Sequence, residues 1–311
     1  MIDLVMPYVN NKEKVWITSF KIFCKTHKEY AYKLQEINGE RYRDDYNLFE
    51  LNLKLIRACL PFIRTIHLIV SNPEQVKGLD LTGVHLVLHK DIMPESILPT
   101  FNSSTIEMFI HKIEGLSERF IYQNDDMIPL RVMSESDFFD GDKAKITIFT
   151  QHETTNNSLF RQMVLNQYRE VFKGTDDYLG DDFYLRPEHS ATPMFLSVVK
   201  YTREKYKDII DAHLEAFRNE YQHTQYLYVY EMIKQGRVCE SDQKFIYLKL
   251  RDTKYLENCY KICDTKGAWF NYMCVNDDIE DSHLQDKDLR YKVLRRALEL
   301  CLQYITEKNK K

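Results

Sequence analysis

Apolar and polar positions divide the first 130 residues into strands and helices. The segment 48–59 has apolar residues at helical spacing and stops before Pro61, which predicts a helix. Residues 13–37 also have a helical but more polar pattern. Short apolar runs, often rich in β-branched residues, predict buried strands at 2–9, 65–71, 84–88 and 119–122. This order of strands and helices favours a nucleotide-binding α/β sheet.

The segment 98–130 has the most complete local pattern of the chain. Ser104 and Glu107 have the spacing of a capping box at the start of a helix. Apolar residues then recur at helical spacing up to residue 113. Gly115 follows where the end of a helix needs a residue in the left-handed conformation. The pattern therefore predicts a helix from 104 to 113, closed by a glycine turn.

An acidic sequence follows the strand at 119–122. Asn124, Asp125 and Asp126 come directly after its last apolar residues. In open α/β sheets, ligands bind in the crevice outside the carboxyl ends of the strands. Adjacent carboxylates at such an end can hold Mg²⁺ or Mn²⁺, which prefer oxygen ligands and share them with substrate phosphates. The strand end is therefore a candidate metal site.

The pattern is weaker after residue 140. It predicts a strand at 144–150 and helices at 159–172, 194–217, 224–234 and around 294–305. The acidic segment 175–182 is turn-like and reads as a solvated loop. His189 lies in a proline-flanked loop before a predicted helix, a position where an isolated histidine is usually incidental.

Composition excludes several classes of protein. With 311 residues and 44% hydrophobic content, the chain can bury a sizeable core. The net charge of −4 argues against a dedicated nucleic-acid binder. Apolar runs stay well short of the roughly 18 residues of a membrane helix. The first residues, MIDLVMPYVN, have no basic region before the apolar segment, so we expect no signal peptide.

The seven cysteines are scattered and odd in number, which is typical of reduced thiols in a cytosolic protein. Cys259 and Cys263, with Cys274 beyond, give a faint zinc signal. Neither a CxxC pair nor a nearby histidine in the sequence supports it. We therefore expect a cytoplasmic protein. Its basic end, 308–311, allows a weak peripheral contact with the anionic inner face of the cell membrane.

Four blocks of this sequence resemble the Stealth family, in the family's order, from residue 2 to about 278. LPTFNS, then IE, HKIEGLSERFIYQNDDM and DFF resemble its central conserved region. The family comprises sugar-1-phosphate transferases of bacterial capsule and exopolysaccharide synthesis and the animal N-acetylglucosamine-1-phosphotransferase. The segment 48–54 departs from the family pattern, and Lys54 alone keeps a positive charge there.

The resemblance implies a GT-A-like Rossmann variant, an α/β fold with a mixed central sheet and additional helices. We expect a single catalytic domain over 1–311. Within it, residues 1–140 would form the nucleotide-sugar-binding α/β core. Residues 141–311 would supply the remaining catalytic and acceptor-side elements and be mostly helical.

The resemblance also assigns roles to residues that match the family's motifs. His189 is the expected general base, because the unperturbed pKa of histidine lies near working pH. Arginines are suited to bidentate contact with phosphate. The full expected catalytic set is His189, Arg218, Asp44 and Asp126. The expected donor-binding set is Asp3, Arg43, Asn102, Ser103 and Asn124, and the expected ligands of Mg²⁺ (or Mn²⁺) are Asp125, Asp126 and Asp277.

The implied reaction moves hexose-1-phosphate from a UDP-sugar of the UDP-GlcNAc, UDP-GalNAc or UDP-Gal type to a saccharide hydroxyl. The acceptor would be a lipid-linked oligosaccharide or polysaccharide, the product a phosphodiester, and the released nucleotide UMP. A conventional metal-dependent GT-A glycosyltransferase that releases UDP is the alternative. A catalytically silent sugar-binding or assembly subunit is a third reading, disfavoured by the presence of both the acidic pair and His189.

Overall fold

The computed structural model describes residues 1–38, 47–152, 158–264, 269–276 and 284–308. The strands are β1 (Ile2–Pro7), β2 (Ile63–Val70), β3 (Val84–Leu88), β4 (Arg119–Tyr122), β5 (Met127–Pro129), β6 (Phe139–Asp140), β7 (Lys143–Lys145), β8 (Ile148–His152), β9 (Phe183–Pro187), β10 (Thr192–Phe195), β11 (Val238–Cys239), β12 (Phe245–Lys249) and β13 (Tyr272–Asn276). The helices are α1 (Lys14–Thr26), α2 (Leu48–Cys59), α3 (His89–Ile92), α4 (Ser103–Glu107), α5 (Leu159–Phe172), α6 (Leu196–Lys205), α7 (Lys207–Ala212), α8 (Tyr226–Lys234), α9 (Tyr255–Cys263) and α10 (Leu284–Lys308).

The main sheet has five strands in the order β10-β4-β1-β2-β3. Strands β1 to β4 run parallel to one another, and β10 pairs antiparallel with β4. The expected α/β class with a mixed central sheet is confirmed. The chain leaves β1 for β2 on one side of the sheet and reaches β4 on the other. The carboxyl ends of β1 and β4 therefore lie at a switch in strand order, the usual place for a ligand crevice.

Three smaller sheets surround the main one. Strand β13 lies between β12, which is parallel to it, and β5, which is antiparallel to it. Strands β8 and β9 form an antiparallel pair, and β6, β7 and β11 form the third sheet. Because β5 begins at Met127, its pairing with β13 fixes the chain immediately after the acidic strand end.

The helix predicted over 194–217 is wrong in part. Residues Thr192–Phe195 form β10, all four are buried, and the helix begins only at Leu196. It is then interrupted at Tyr206, where α6 gives way to α7. A short apolar run next to a helix has the same local pattern as the helix itself, and only pairing with β4 identifies it as a strand.

The predicted capping box at Ser104 is also wrong. The N-cap of α4 is Asn102, whose side-chain oxygen accepts from the Ser104 amide at 3.1 Å. Glu107 is buried, and its carboxylate accepts from Tyr122 Oη and from the backbone amide of Gln225. Helix α4 ends at Glu107 and is followed by a 3-10 turn, whereas Gly115 has the predicted left-handed conformation, with φ of 73°.

The core is built on the central strands. Every residue of β1 is buried, and α2 covers the sheet with its apolar face while Lys54 stays exposed. The main hydrophobic cluster includes residues from both sides of position 140, such as Leu4 and Leu298. The division of the chain at residue 140 remains a prediction. None of the helices in the described ranges combines the length and apolar composition needed to cross a bilayer.

Asp3 stabilises the amino end of the main sheet. It is fully buried in β1, and its two carboxylate oxygens accept from the Arg64 guanidinium at 2.9 and 2.6 Å. The backbone amide of Ser117 donates to it at 2.7 Å. Burial would raise the pKa of Asp3, but these donors outweigh burial and hold the pKa below 3.8. The Asp3 carboxylate therefore has a structural role, in which it binds Arg64 and the Ser117 amide.

We expect Asp3→Asn to lower the free energy of unfolding at pH 7 by about 1–3 kcal/mol, because charge-assisted hydrogen bonds are lost. The folded pKa lies below the unfolded one, so this stability is present above about pH 3.8 and lost as the pH falls below it. Urea unfolding of both proteins at a series of pH values measures the difference. The exposed Asp177→Asn variant is the control. A difference that is constant down to pH 2 would contradict this account.

Candidate active site

The carboxyl ends of the parallel strands meet around one cavity of about 420 Å³, which we call the sheet-edge cavity. It is lined by residues that follow four strands within four positions: Tyr8 after β1, Ser71 after β2, His89 after β3, and Asn124, Asp125 and Asp126 after β4. Burial lowers the pKa of His89 to about 4, so this imidazole is neutral near pH 7. The cavity thus occupies the position that the strand order predicts for a ligand.

Aromatic side chains form one wall of the sheet-edge cavity. Trp16 from α1 and Phe101 lie with their ring centroids 5.7 Å apart, and Tyr8 stacks on Phe49 at 3.6 Å. Helix α1 begins at this wall because the Glu13 carboxylate accepts from the backbone amides of Val15 and Trp16. The cavity therefore combines an aromatic surface with a group of carboxylates.

A second cavity of about 650 Å³ lies beside the first, and we call it the His189 cavity. Its walls come from the β8–β9 pair, from β12 and from the start of α8. Phe149 and Tyr247 are 41% and 46% exposed, so two partly exposed aromatic rings lie on its rim. Asn124, Asp126 and Arg218 line both cavities. The two cavities therefore meet at these three residues.

Contacts from distant segments fix the backbone of the acidic strand end. The Asn52 side chain of α2 donates to the carbonyls of Asp125 and Met127 at 3.0 and 2.9 Å. The Val275 amide of β13 donates to the Asp126 carbonyl at 3.0 Å. The backbone that carries the two carboxylates is therefore held in place before any ligand binds, which favours a site that acts by positioning charge.

Asp126 lies beside a histidine and a cysteine. One donor atom each from Asp126, His189 and Cys274 lie within 4.8 Å of one another. The Cys274 thiol donates to Asp126 Oδ2 at 3.3 Å. Asp126 Oδ1 is buried and has no hydrogen-bond partner in the described ranges of the chain. A buried acceptor oxygen without a hydrogen bond destabilises the folded protein unless a ligand or an ion binds to it.

Burial sets the protonation of the groups around Asp126. It lowers the pKa of His189 below the usual 6.5, although the Asp126 carboxylate opposes this change. The imidazole is therefore neutral near pH 7 and able to accept a proton. Burial, followed by the negative charge of Asp126, raises the pKa of Cys274 well above its usual value. The thiol is therefore protonated, as its hydrogen bond to Asp126 requires.

Arg218 brings positive charge to the boundary between the cavities. Its guanidinium donates to the Ser103 hydroxyl at the start of α4. Glu107, buried nearby, accepts from Tyr122 Oη at 3.0 Å and from the Gln225 amide at 2.7 Å. Burial raises the pKa of Glu107, and these donors and Arg218 lower it in part. This network links α4, β4 and α8 behind the site.

The structure brings together most of the site residues that the sequence predicts. The two cavities are lined by His189, Arg218, Asn102, Ser103, Asn124, Asp125 and Asp126. Asn102 is fully buried, and its amide also donates to the Glu215 carbonyl and to Gln222 Oε1, so it holds the 214–222 loop against α4. The predictions for Arg43, Asp44 and Asp277, and for the basic residues 309–311, lie outside the described residues.

Asp3 is not brought to the site. It lies four residues before the carboxyl end of β1, roughly 13 Å from it at the rise of an extended strand. Its carboxylate oxygens are used by Arg64 and Ser117. The expected donor-binding role of Asp3 therefore finds no support in its position.

Several residues at the site escaped the sequence analysis. Gln225 and Tyr226 line the His189 cavity, are almost fully buried, and have side-chain oxygens without a partner among the described residues. Arg186 lies in the same cavity, with its guanidinium over the Phe149 ring at 5.3 Å. Of the three cysteines that gave the faint zinc signal, only Cys274 lies at the site. Cys259 and Cys263 belong to α9, where Cys263 donates to the Ala297 carbonyl.

Comparison with known proteins identifies a family region in the chain. Residues 41–147, about a third of the chain, match the family model described as Stealth protein CR2, conserved region 2. This segment contains α2, β2, β3, α4 and β4, and hence the acidic strand end. The residues that match the family model therefore include strands whose carboxyl ends border the sheet-edge cavity.

Curated relatives carry phosphotransferase names. The exopolysaccharide phosphotransferase cps2G of Lactiplantibacillus plantarum is 32% identical over 181 residues, which are 54% of this chain and 51% of that protein. The capsular polysaccharide phosphotransferase fcs1 of Haemophilus influenzae is 26% identical over 294 residues, 89% of this chain and 78% of that protein. The match to the first of these thus spans about half of its length.

Among solved structures, galactosyltransferase LgtC in complex with donor and acceptor sugar analogues matches 96% of this chain and 95% of its own. The sequence identity is 11% and the TM-score is 0.41.

Proposed function

We propose, from the match of residues 41–147 to Stealth conserved region 2, that this chain is a sugar-1-phosphate transferase of polysaccharide synthesis. It transfers hexose-1-phosphate from a UDP-sugar to a hydroxyl of a saccharide acceptor and releases UMP. The observation that carries the proposal is the meeting of the two cavities at Asn124, Asp126 and Arg218. A reaction that joins two sugars needs two adjoining sites with the reacting phosphate between them.

The sheet-edge cavity is the proposed donor site. It lies at the carboxyl ends of β1 and β4, where open α/β sheets bind nucleotides. Trp16, Phe101 and Tyr8 offer aromatic faces for the base, and the acidic strand end is directed toward the phosphates. Neutral His89 adds a hydrogen-bonding group without adding charge.

The His189 cavity is the proposed acceptor site. Its partly exposed rings suit the apolar face of a sugar. The side-chain oxygens of Gln225 and Tyr226, which have no hydrogen-bond partner among the described residues, suit the hydroxyls of that sugar. Neutral His189 takes the proton of the acceptor hydroxyl as the oxygen attacks the sugar-linked phosphorus. The bond from that phosphorus to the UMP oxygen breaks, and Arg218 stabilises the charge that develops on the phosphates.

The residues fit a divalent cation such as Mg²⁺ or Mn²⁺. Asp126 Oδ1 is buried without a partner in the described ranges, and Asp125 and Asn124 line the same cavity with further oxygen atoms. Hard cations prefer such oxygen sets and share them with substrate phosphates. A bound cation would neutralise the negative charge of the pyrophosphate.

The released nucleotide tests the proposal. The protein is incubated with Mg²⁺, a panel of UDP-GlcNAc, UDP-GalNAc and UDP-Gal, and a lipid-linked oligosaccharide or polysaccharide acceptor, and the products are separated by chromatography. We expect UMP that accumulates only with acceptor, together with a phosphodiester-linked product. Accumulation of UDP would instead identify a conventional glycosyltransferase. UDP-sugar binding without turnover across an acceptor survey would identify a silent subunit.

A further inference from the structure

We propose that Asp126, His189 and Cys274 form a binding site for a thiophilic divalent cation of the zinc type. The site shares Asp126 with the oxygen-lined position described for Mg²⁺ and adds His189, which lines the His189 cavity, and the buried Cys274. Its donor set consists of one carboxylate oxygen, one imidazole nitrogen and one sulfur. Such a mixed set favours Zn²⁺ or Co²⁺ over Mg²⁺, which takes oxygen ligands.

The distances agree with a single ion. Zinc binds sulfur at about 2.3 Å and nitrogen or oxygen at about 2.0–2.2 Å, so neighbouring ligands of a tetrahedral site lie about 3.6 Å apart. Cys274 Sγ and Asp126 Oδ2 are 3.3 Å apart, and the three donors lie within 4.8 Å of one another. Small side-chain rotations would therefore complete three ligands. The fourth position would face the His189 cavity, as in zinc sites that keep a place open.

The fold holds the donors in place before a metal binds. Cys274 pairs with Met127, the residue after Asp126, across the β13–β5 ladder. The Val275 amide donates to the Asp126 carbonyl at 3.0 Å, so the thiol and the carboxylate have a fixed register. His189 lies between two rings, 6.1 Å from Phe160 and 6.5 Å from Tyr247 by centroid distance. Three sequence-distant segments thus converge on one point.

Zinc at this site would inhibit the transferase. The cation replaces the thiol proton of Cys274, which is released to solvent, and occupies the lone pair with which His189 would accept a proton. This consequence rests on the proposed function, whereas the metal site itself does not. The experiment therefore separates metal binding from catalysis.

Cobalt titration tests the site without any substrate. Co²⁺ is added to the full chain under reducing conditions, and the thiolate-to-cobalt charge-transfer absorption is followed in the near ultraviolet. We expect this band to saturate at one cobalt per chain and to disappear on addition of Zn²⁺. Cys274→Ser should remove the band, because serine keeps the size and hydrogen bond of the thiol but supplies no sulfur. Cys239→Ser, at a half-buried cysteine on β11, should keep it.

The absence of a charge-transfer band in the unmodified protein, or an equal band in Cys274→Ser, would overturn the proposal. In a second arm, zinc inhibition of UMP release is measured for each variant relative to its own rate with Mg²⁺. We expect Cys274→Ser to raise the half-inhibitory zinc concentration at least about tenfold, since even outer-shell changes cost 10- to 100-fold in metal affinity. A band in a protein that releases no UMP would refute the proposed function and leave the metal site standing.

Discussion

His189→Ala is expected to lower turnover by about 100- to 10,000-fold while leaving UDP-sugar binding nearly intact. The imidazole lines the cavity proposed for the acceptor and does not line the sheet-edge cavity. Because burial keeps the imidazole neutral, the substitution removes a proton acceptor but removes no charge from the donor site. Turnover is measured as UMP release, and donor binding by calorimetry with Mg²⁺.

His27→Ala is the matched control, because His27 is an exposed residue at the end of α1. It should change neither turnover nor binding. If His189→Ala weakens UDP-sugar binding as much as it lowers turnover, the imidazole is a ligand contact and the assignment as base is wrong.

Asp126→Asn should have the second large effect, a loss of at least about 100- to 1000-fold in turnover together with weaker metal-dependent donor binding. Asparagine has the same shape and can still accept from the Cys274 thiol, so the fold should be preserved. It removes the negative charge and one metal-binding oxygen at the boundary of the two cavities. Asp125→Asn is expected to act in the same direction.

The measurement compares UDP-sugar affinity with and without Mg²⁺ in each variant. Asp142→Asn, an exposed change in the β6–β7 turn, is the control. Unchanged turnover in Asp126→Asn would remove this residue from the metal site. Weaker binding that is the same with and without Mg²⁺ would indicate a general loss of the donor site.

Much of the central architecture was predictable because it depends on local patterns. Strands β3 and β4 and helices α2 and α5 have the predicted bounds, and each end of β2 lies within two residues of its predicted position. The predicted resemblance to the Stealth family is confirmed by the match over 41–147 and by the names of the curated relatives. Since the carboxyl ends of neighbouring parallel strands meet at one edge, the position of the acidic pair in a cavity also followed from the sequence.

The wrong predictions share a physical cause. The sequence allows Ser104 to cap α4, but Asn102 caps it, and buried Glu107 bonds to Tyr122 and Gln225 instead. Residues 194 and 195 belong to the predicted helix, but they pair with β4 as part of strand β10. In each case a partner far along the chain competes with a local preference, and the buried interaction wins because an unpaired buried group is costly.

The sequence by itself determined the main strands and helices of the first 122 residues, the acidic end of β4 and the family that these motifs resemble. The tertiary structure alone decided which side chains meet there. Cys274 contacts Asp126 across 148 positions of sequence, and His189 arrives from a turn between two different sheets. Periodicity reports which face of an element is buried, but not what is packed against it. The second cavity and its mixed metal ligands exist only because distant segments pack together.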